Sequence, residues 1–170
     1  MGYAIQAYTT DAAKIKQIFG SKDKKLQTEV EAQLAERLAD LNDDFDLEED
    51  EVTAHTILND LFDGVIRHPE QAHLYGYVYE MLCACFGASI EPENDMYALE
   101  FLDLIVKEYS AFIAIPFSGD FPHIVSIEYK DLDAFKKKYL RDEDDEQVRE
   151  LADTIEHARV HSKDLVFFNY

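Results

Sequence analysis

Basic residues are scarce in this sequence. Sixteen Lys and Arg face 36 Asp and Glu, giving a formal net charge of −20 over 170 residues. That imbalance weighs against nucleic acid and anionic membranes as partners, because both present phosphates that such a chain repels. It favours a basic partner instead, met faster at low salt. Glycine is scarce too: there are six in all, and none builds a phosphate-cradling Gly-rich loop. The only cysteines, Cys83 and Cys85, sit two apart on a predicted helix. There they point to different faces and cannot pair with each other. They read as small buried residues of a reducing cytoplasm. C-x-C on a helix is poor chelating geometry, so no metal or other cofactor is expected. No apolar stretch is long enough to cross a bilayer. No basic start runs into an apolar segment, so no secretory leader is expected. The expectation is a cytoplasmic protein with no membrane partner.

The apolar residues are concentrated in one place. His73-Leu-Tyr-Gly-Tyr-Val-Tyr-Glu-Met-Leu-Cys-Ala-Cys-Phe86 has one formal charge, Glu80. Leu74, Val78, Met81 and Cys85 recur at helical spacing, and Tyr75, Val78, Tyr79, Leu82 and Phe86 form a second row beside them. A helix apolar over most of its circumference must be wrapped by other elements. This stretch is therefore expected to be the central helix of a single core. A chain of this length is most simply one domain, residues 1–170, with enough surface to bury that core.

The remaining segments fall into place around it. Residues 3–8 read as a strand. Thr10 or Asp11 caps a helix carrying Ile15, Ile18 and Phe19, which Gly20 stops. Ser21 is expected to cap the next helix, with Leu26, Val30, Leu34, Leu38 and Leu41 on one face. A third helix starts near Val52 and carries Leu58, Leu61, Phe62 and Val65, with Gly64 weakening its end. Gly87 ends the central helix, 91–95 links, and 96–109 is amphipathic. Residues 111–116 and 123–129 read as two strands around the 117–122 loop. Asp131 caps a short helix ending near Leu140, and Val148, Leu151 and Ile155 mark another. Residues 165–170 are β-rich and close the sheet. The fold class is α+β: a helix-rich single domain with a small mixed or antiparallel sheet, formed by the chain ends and a hairpin near 111–129.

The charge is uneven. Residues 1–25 carry five lysines against two acids, or +3; residues 26–106 carry 20 acids against Arg37 and Arg67, or −18; residues 107–170 carry 14 acids against nine bases, or −5. The middle section also supplies the core helices, so it is a folded body with a negative exterior rather than a loose acidic tail.

Several constellations invite a chemical reading. Asp40 to Glu51 matches a calcium-loop template, with Asp40, Asn42, Asp44 and Glu51 at positions one, three, five and twelve. The sixth position, where glycine makes a sharp left-handed turn, is Phe45. Eight of these twelve residues are acids, so acid-rich templates match easily, and the plainer reading is a solvated linker. Its carboxylates Asp43, Asp44, Asp46, Glu48, Glu49 and Asp50 are candidates for partner binding. Glu80, beside the Tyr75 and Tyr79 hydroxyls, is either a raised-pKa acid or base, or a structural carboxylate on a wet stripe or paired with Arg67. With Asp120 and His123 these residues form a candidate pocket. His157 and His161, four apart, lack a third ligand. Ser118, Asp120 and His123 lack a nucleophile elbow. Lys136–Lys138 complement a helix C-terminus.

Two segments carry a family resemblance. Met-Gly-Tyr-Ala-Ile-Gln-Ala-Tyr8 leads into a helix ending Phe19-Gly20. Tyr75-Gly-Tyr-Val-Tyr-Glu-Met-Leu-Cys83 runs through Phe86-Gly87 and is followed by Asp120-Phe-Pro122. Together they resemble a family of small bacterial proteins of uncharacterised function, some associated with toxin–immunity loci. The resemblance implies a bacterial cytoplasmic protein and carries no catalytic motif. Three functions are open: a non-enzymatic acidic binding protein of the immunity or antitoxin kind that neutralises a basic toxin; a small-molecule-binding protein or enzyme with a tyrosine and Glu80 pocket; and a regulatory domain whose acidity serves solubility. The sequence fixes no oligomeric state.

Overall fold

The computed structural model describes residues 5–47, 52–90, 110–116, 122–140 and 146–170. In chain order these form β1 (Ile5–Thr10), α1 (Ala12–Ile18), α2 (Lys24–Asp44), α3 (Ala54–Asp63), α4 (Ala72–Cys85), β2 (Ala88–Ile90), β3 (His123–Ile127), α5 (Leu132–Tyr139), α6 (Glu146–Val160) and β4 (Asp164–Asn169). The expected helix at 96–109 lies outside the described residues.

The sheet has the order β2-β1-β4-β3, and every pair is antiparallel. The central strand β4 is buried from Leu165 to Asn169. Its alternate residues face opposite ways. Val166 and Phe168 join Tyr8 and Ile124 in a core with α1 to α4. Leu165 and Phe167 join Ile5, Ala7, Val125 and Ile127 in a second core with α5 and α6. The Leu-Val-Phe-Phe run is unbroken because both faces of the strand are covered. The helix-rich α+β class is as expected, but two cores flank the sheet where a single core was expected. The 111–129 hairpin does not form. Residues 110–116 carry no strand, β3 pairs with β4 instead, and the outer place beside β1 goes to β2.

The helix ends follow capping chemistry. Asp11 accepts from Lys14 N at 3.1 Å. Asp23, not Ser21, caps α2 by accepting from Lys25 N and Leu26 N. Thr53 caps α3. Asp131 stands at the N-cap of α5 without a side-chain bond to the helix. Between α4 and β2 the backbone passes very close to β1. A Cβ on Gly87 would lie 1.7 Å from the Thr9 carbonyl oxygen, so only glycine permits this approach.

α2 is longer than the acidic composition suggests. Val30, Leu34, Leu38 and Leu41 are buried in the first core, which holds the helix together through Asp44 and turns its carboxylates outward. It closes with Leu47 N donating to Asn42 O at 2.8 Å and Asp46 N to Asp43 O at 3.1 Å, with Asp46 at φ 52°. This is the left-handed closing turn common at helix ends.

Candidate functional site

α4 aims its polar side chains in three directions. Tyr75 Oη donates to Asp60 Oδ2 of α3 at 2.6 Å and accepts from His68 N at 3.3 Å. Tyr79 Oη lies 3.1 Å from Ser126 Oγ of β3 and accepts from Phe112 N at 3.0 Å. Glu80 turns toward β1 and the C-terminal strand, where Tyr8 Oη donates to Oε1 at 2.7 Å and Tyr170 Oη donates to Oε2. The expected shared pocket of Tyr75, Tyr79, Glu80, Asp120 and His123 is therefore not one cavity. His123 lines a separate apolar cavity of about 130 Å³ with Ala72 and Gly76. Asp120 lies outside the described residues, as does Ser118. Arg67 does not reach Glu80. It pairs with Asp60 at 2.5 Å and Asp63 at 2.7 Å.

The surroundings tune these groups differently. Burial opposes ionisation of Asp60, but bonds from the Tyr75 hydroxyl and from the Arg67 side chain and backbone outweigh it and hold its carboxyl below the ordinary 3.8. Tyr75 is pushed up to about 12 by burial and by its bond to Asp60. Burial also raises Tyr8, reinforced by Glu80, and it raises Tyr170 with the same neighbour. Both phenols therefore keep their protons and donate them to one carboxylate, the partnership a buried Glu80, 8% exposed, requires.

Glu80 forms part of the wall of an open cleft of about 500 Å³ between α2 and α4. Arg37, Asp40, Asp44, Phe45 and Tyr77 line the rest, with Leu41 and Met81. Aromatic rings run along its edge. Phe45 lies 5.3 Å from both His73 and Tyr77, and Tyr77 stacks on Tyr170 at 5.7 Å. Phe45 is 38% exposed, one of few large apolar side chains on the described surface. Tyr77 is raised by burial and by the charges of Glu80 and Asp44, so it too stays neutral.

The acidic run supplies this cleft in part. Asp40, Asp43, Asp44 and Asp46 are exposed. The last turn of α2 contains no basic residue, so the carboxylates crowd the negative end of the helix dipole. Glu48, Glu49, Asp50 and Glu51 lie outside the described residues. The calcium-loop template does not describe this region. Asp40, Asn42 and Asp44 continue a helix, the left-handed residue is Asp46 rather than Phe45, and Asn42 Oδ1 accepts from Ala54 N at 2.8 Å. The rings of His157 and His161 lie side by side, centres 4.6 Å apart and tilted 54° to each other. Among the described residues no group of three His, Cys, Asp or Glu side chains is placed to hold a metal ion.

Sequence reasoning places Asp44 and Glu80 at candidate sites but misses their connection, and it misses Arg37, Phe45, Tyr77, Tyr8 and Tyr170. The available signal was periodic. Arg37, Asp40, Leu41 and Asp44 repeat at helical spacing, as do Tyr77, Glu80 and Met81. Joining the two rows takes the packing of α2 against α4. Tyr8 and Tyr170 are 162 residues apart and meet only because β1 and β4 pair.

These features define a class: a helix-rich α+β domain with an acidic, aromatic-edged cleft between two of its core helices. More particularly, the chain belongs to the family described as Domain of unknown function (DUF7691), whose family model matches residues 1–170. No curated protein and no solved structure matches the chain. Among the described residues, no helix is long and apolar enough to cross a membrane.

Proposed function

We propose that this protein is a non-enzymatic acidic binding protein that holds a basic protein partner through the face built by the C-terminal half of α2 and by α4. The observation that carries this reading is the placement of Asp40, Asp43, Asp44 and Asp46. They are exposed at the negative end of α2, with no base in its last turn. Charges so placed oppose the stability of their own helix. A cationic surface relieves that repulsion, and a folded helix presents the carboxylates in fixed positions, so little ordering is needed on binding. The family resemblance of the opening and central segments supports the immunity or antitoxin kind, in a bacterial cytoplasm, with a basic toxin as the partner.

The test is recovery of partners from the native host on the immobilised protein, at low and high salt. The expected result is a basic protein retained at low salt, released at high salt, and lost when Asp40 and Asp44 are both changed to Asn. Recovery of no basic protein, or retention indifferent to salt, overturns the reading.

A further inference from the structure

The cleft between α2 and α4 differs in kind from a surface that is merely negative. Three carboxylates, Asp40, Asp44 and Glu80, share it with the rings of Phe45 and Tyr77. Asp40 and Asp44 are four apart on one helix, which sets their Cβ atoms about 6 Å apart on one side. Glu80 approaches from the facing helix and is held still by two phenols. The aromatic side is an open wall rather than a box: Tyr77 is backed by Tyr170 at an interplanar angle of 29°, and Phe45 is tilted 60° to Tyr77. The chain already places one guanidinium, that of Arg37, in the lining.

We propose that this cleft is an arginine-binding site that receives one arginine side chain of the basic partner. The inference rests on the reading above and names the group the partner must present. A guanidinium is planar and weakly hydrated. It lies flat on an aromatic face while its in-plane donors reach carboxylates on two sides. A lysine ammonium is a compact, strongly hydrated point charge that uses the carboxylates and gains less from the wall. A quaternary ammonium needs rings on several sides, and here they stand along one edge. The incoming arginine lies against Phe45 and Tyr77, with Asp40 and Asp44 taking its donors. Glu80 supplies charge from the floor while its oxygens stay bonded to Tyr8 and Tyr170. Arg37 offsets one of the three negative charges, so the lining is still net negative when the arginine enters.

The experiment is titration of the whole protein with Nα-acetyl-arginine amide and, separately, Nα-acetyl-lysine amide, followed by backbone amide NMR shifts. Arginine is expected to bind about tenfold more tightly than lysine, with the largest shifts at Tyr77, Phe45 and Asp44. Tyr77→Leu is expected to remove the preference for arginine while weak binding of both probes persists. Asp44→Asn should weaken both probes, and Asp153→Asn on α6 should change neither. Circular dichroism of each variant separates loss of the site from loss of the fold. Equal affinity for the two probes, or shifts centred away from α2 and α4, overturns the arginine site. Salt-sensitive capture of a basic protein combined with equal probe affinities leaves the acidic-binding function standing and removes only this inference. Arginine selectivity without any captured basic protein removes the function and keeps the site.

Discussion

The hydroxyl of Tyr8 donates to Glu80 Oε1 at 2.7 Å, joining β1 to the middle of α4 across 72 residues. Tyr170 makes the matching bond to Oε2, so one buried carboxylate ties together the central helix and two neighbouring strands. Burying a carboxylate is costly when it lacks partners. The cost falls when both oxygens accept hydrogen bonds.

Glu80→Ala strands two phenols, Tyr8 and Tyr170, without their acceptor. The expected loss is about 1–3 kcal/mol for each hydroxyl left unsatisfied. Glu80→Gln keeps the shape and one acceptor, so it is expected to cost less than Glu80→Ala. Urea denaturation of the three proteins checks this order. Equal stability of Glu80→Ala and the parent would show that the carboxylate does not hold the strands to the helix.

The Asp60 cluster sets an acid limit. Asp60 has a folded-state pKa below its ordinary 3.8. A depressed carboxyl contributes stability above its unfolded value, and that contribution fades as pH falls through the folded value. Glu128, paired with Lys130 and Lys16, is held down to about 2 from 4.5 and acts with the same sign. Stability is therefore expected to fall with decreasing pH below about 4.5, continuing toward pH 2. Asp60→Asn should flatten the part of that slope below 3.8. Tyr75→Phe removes a donor to Asp60 and should cost about 0.5–1.5 kcal/mol at neutral pH, while moving the Asp60 midpoint upward. Denaturation midpoints measured from pH 2 to 7 test both variants.

The turn after α3 depends on backbone contact. Gly64 closes that helix at φ +71°, and a Cβ there would stand 2.7 Å from the Cα of Gly20. The same contact region is fastened by Gly20 N donating to Leu61 O at 2.9 Å and Lys22 N to Phe62 O at 3.0 Å. Gly64→Ala must strain the backbone and push these two turns apart, an expected loss of about 1–3 kcal/mol. An unchanged thermal midpoint would contradict the close approach of the turn after α1 to the turn after α3.

The end of α2 is arranged against its own stability. Replacing Asp43 or Asp44 by Asn removes a negative charge from the negative pole of the helix. Each substitution is expected to raise stability by about 0.3–1 kcal/mol at low ionic strength, with the gain shrinking in salt. The same variants are expected to bind the basic partner more weakly, the trade that marks a functional surface. A loss of stability on Asp44→Asn, measured by chemical denaturation, would place that carboxylate in a structural bond instead.

Sequence pattern alone made much of this architecture legible. The apolar rows of 73–86 define α4 because helical spacing is a local property, and its wrapping follows from having almost no polar face. The cap at Asp11 and the stop at Gly20 are local for the same reason. The strand at 88–90 was not legible. Ala-Ser-Ile is three residues with no alternation to read, and it becomes a strand because Gly87 lets it lie against Thr9. The 111–116 stretch has strand composition but carries no strand: Phe112 N donates to Tyr79 Oη and Ile115 N to Ile113 O, so these N–H groups do not build a ladder on the outer edge of β3.

The sequence by itself determined the helix-rich class, the central helix and the negative sign of the field, because each depends on composition or on spacing within one segment. Tertiary structure alone decided which polar groups meet. Tyr75, Tyr79 and Glu80 are neighbours along one helix, yet they face α3, β3 and the β1–β4 pair respectively. Residues as distant as Tyr8 and Tyr170 converge on Glu80, and Asp44 comes to share a cleft with it. A side chain's direction follows from its own turn of helix, whereas its partner depends on which other segment is packed there.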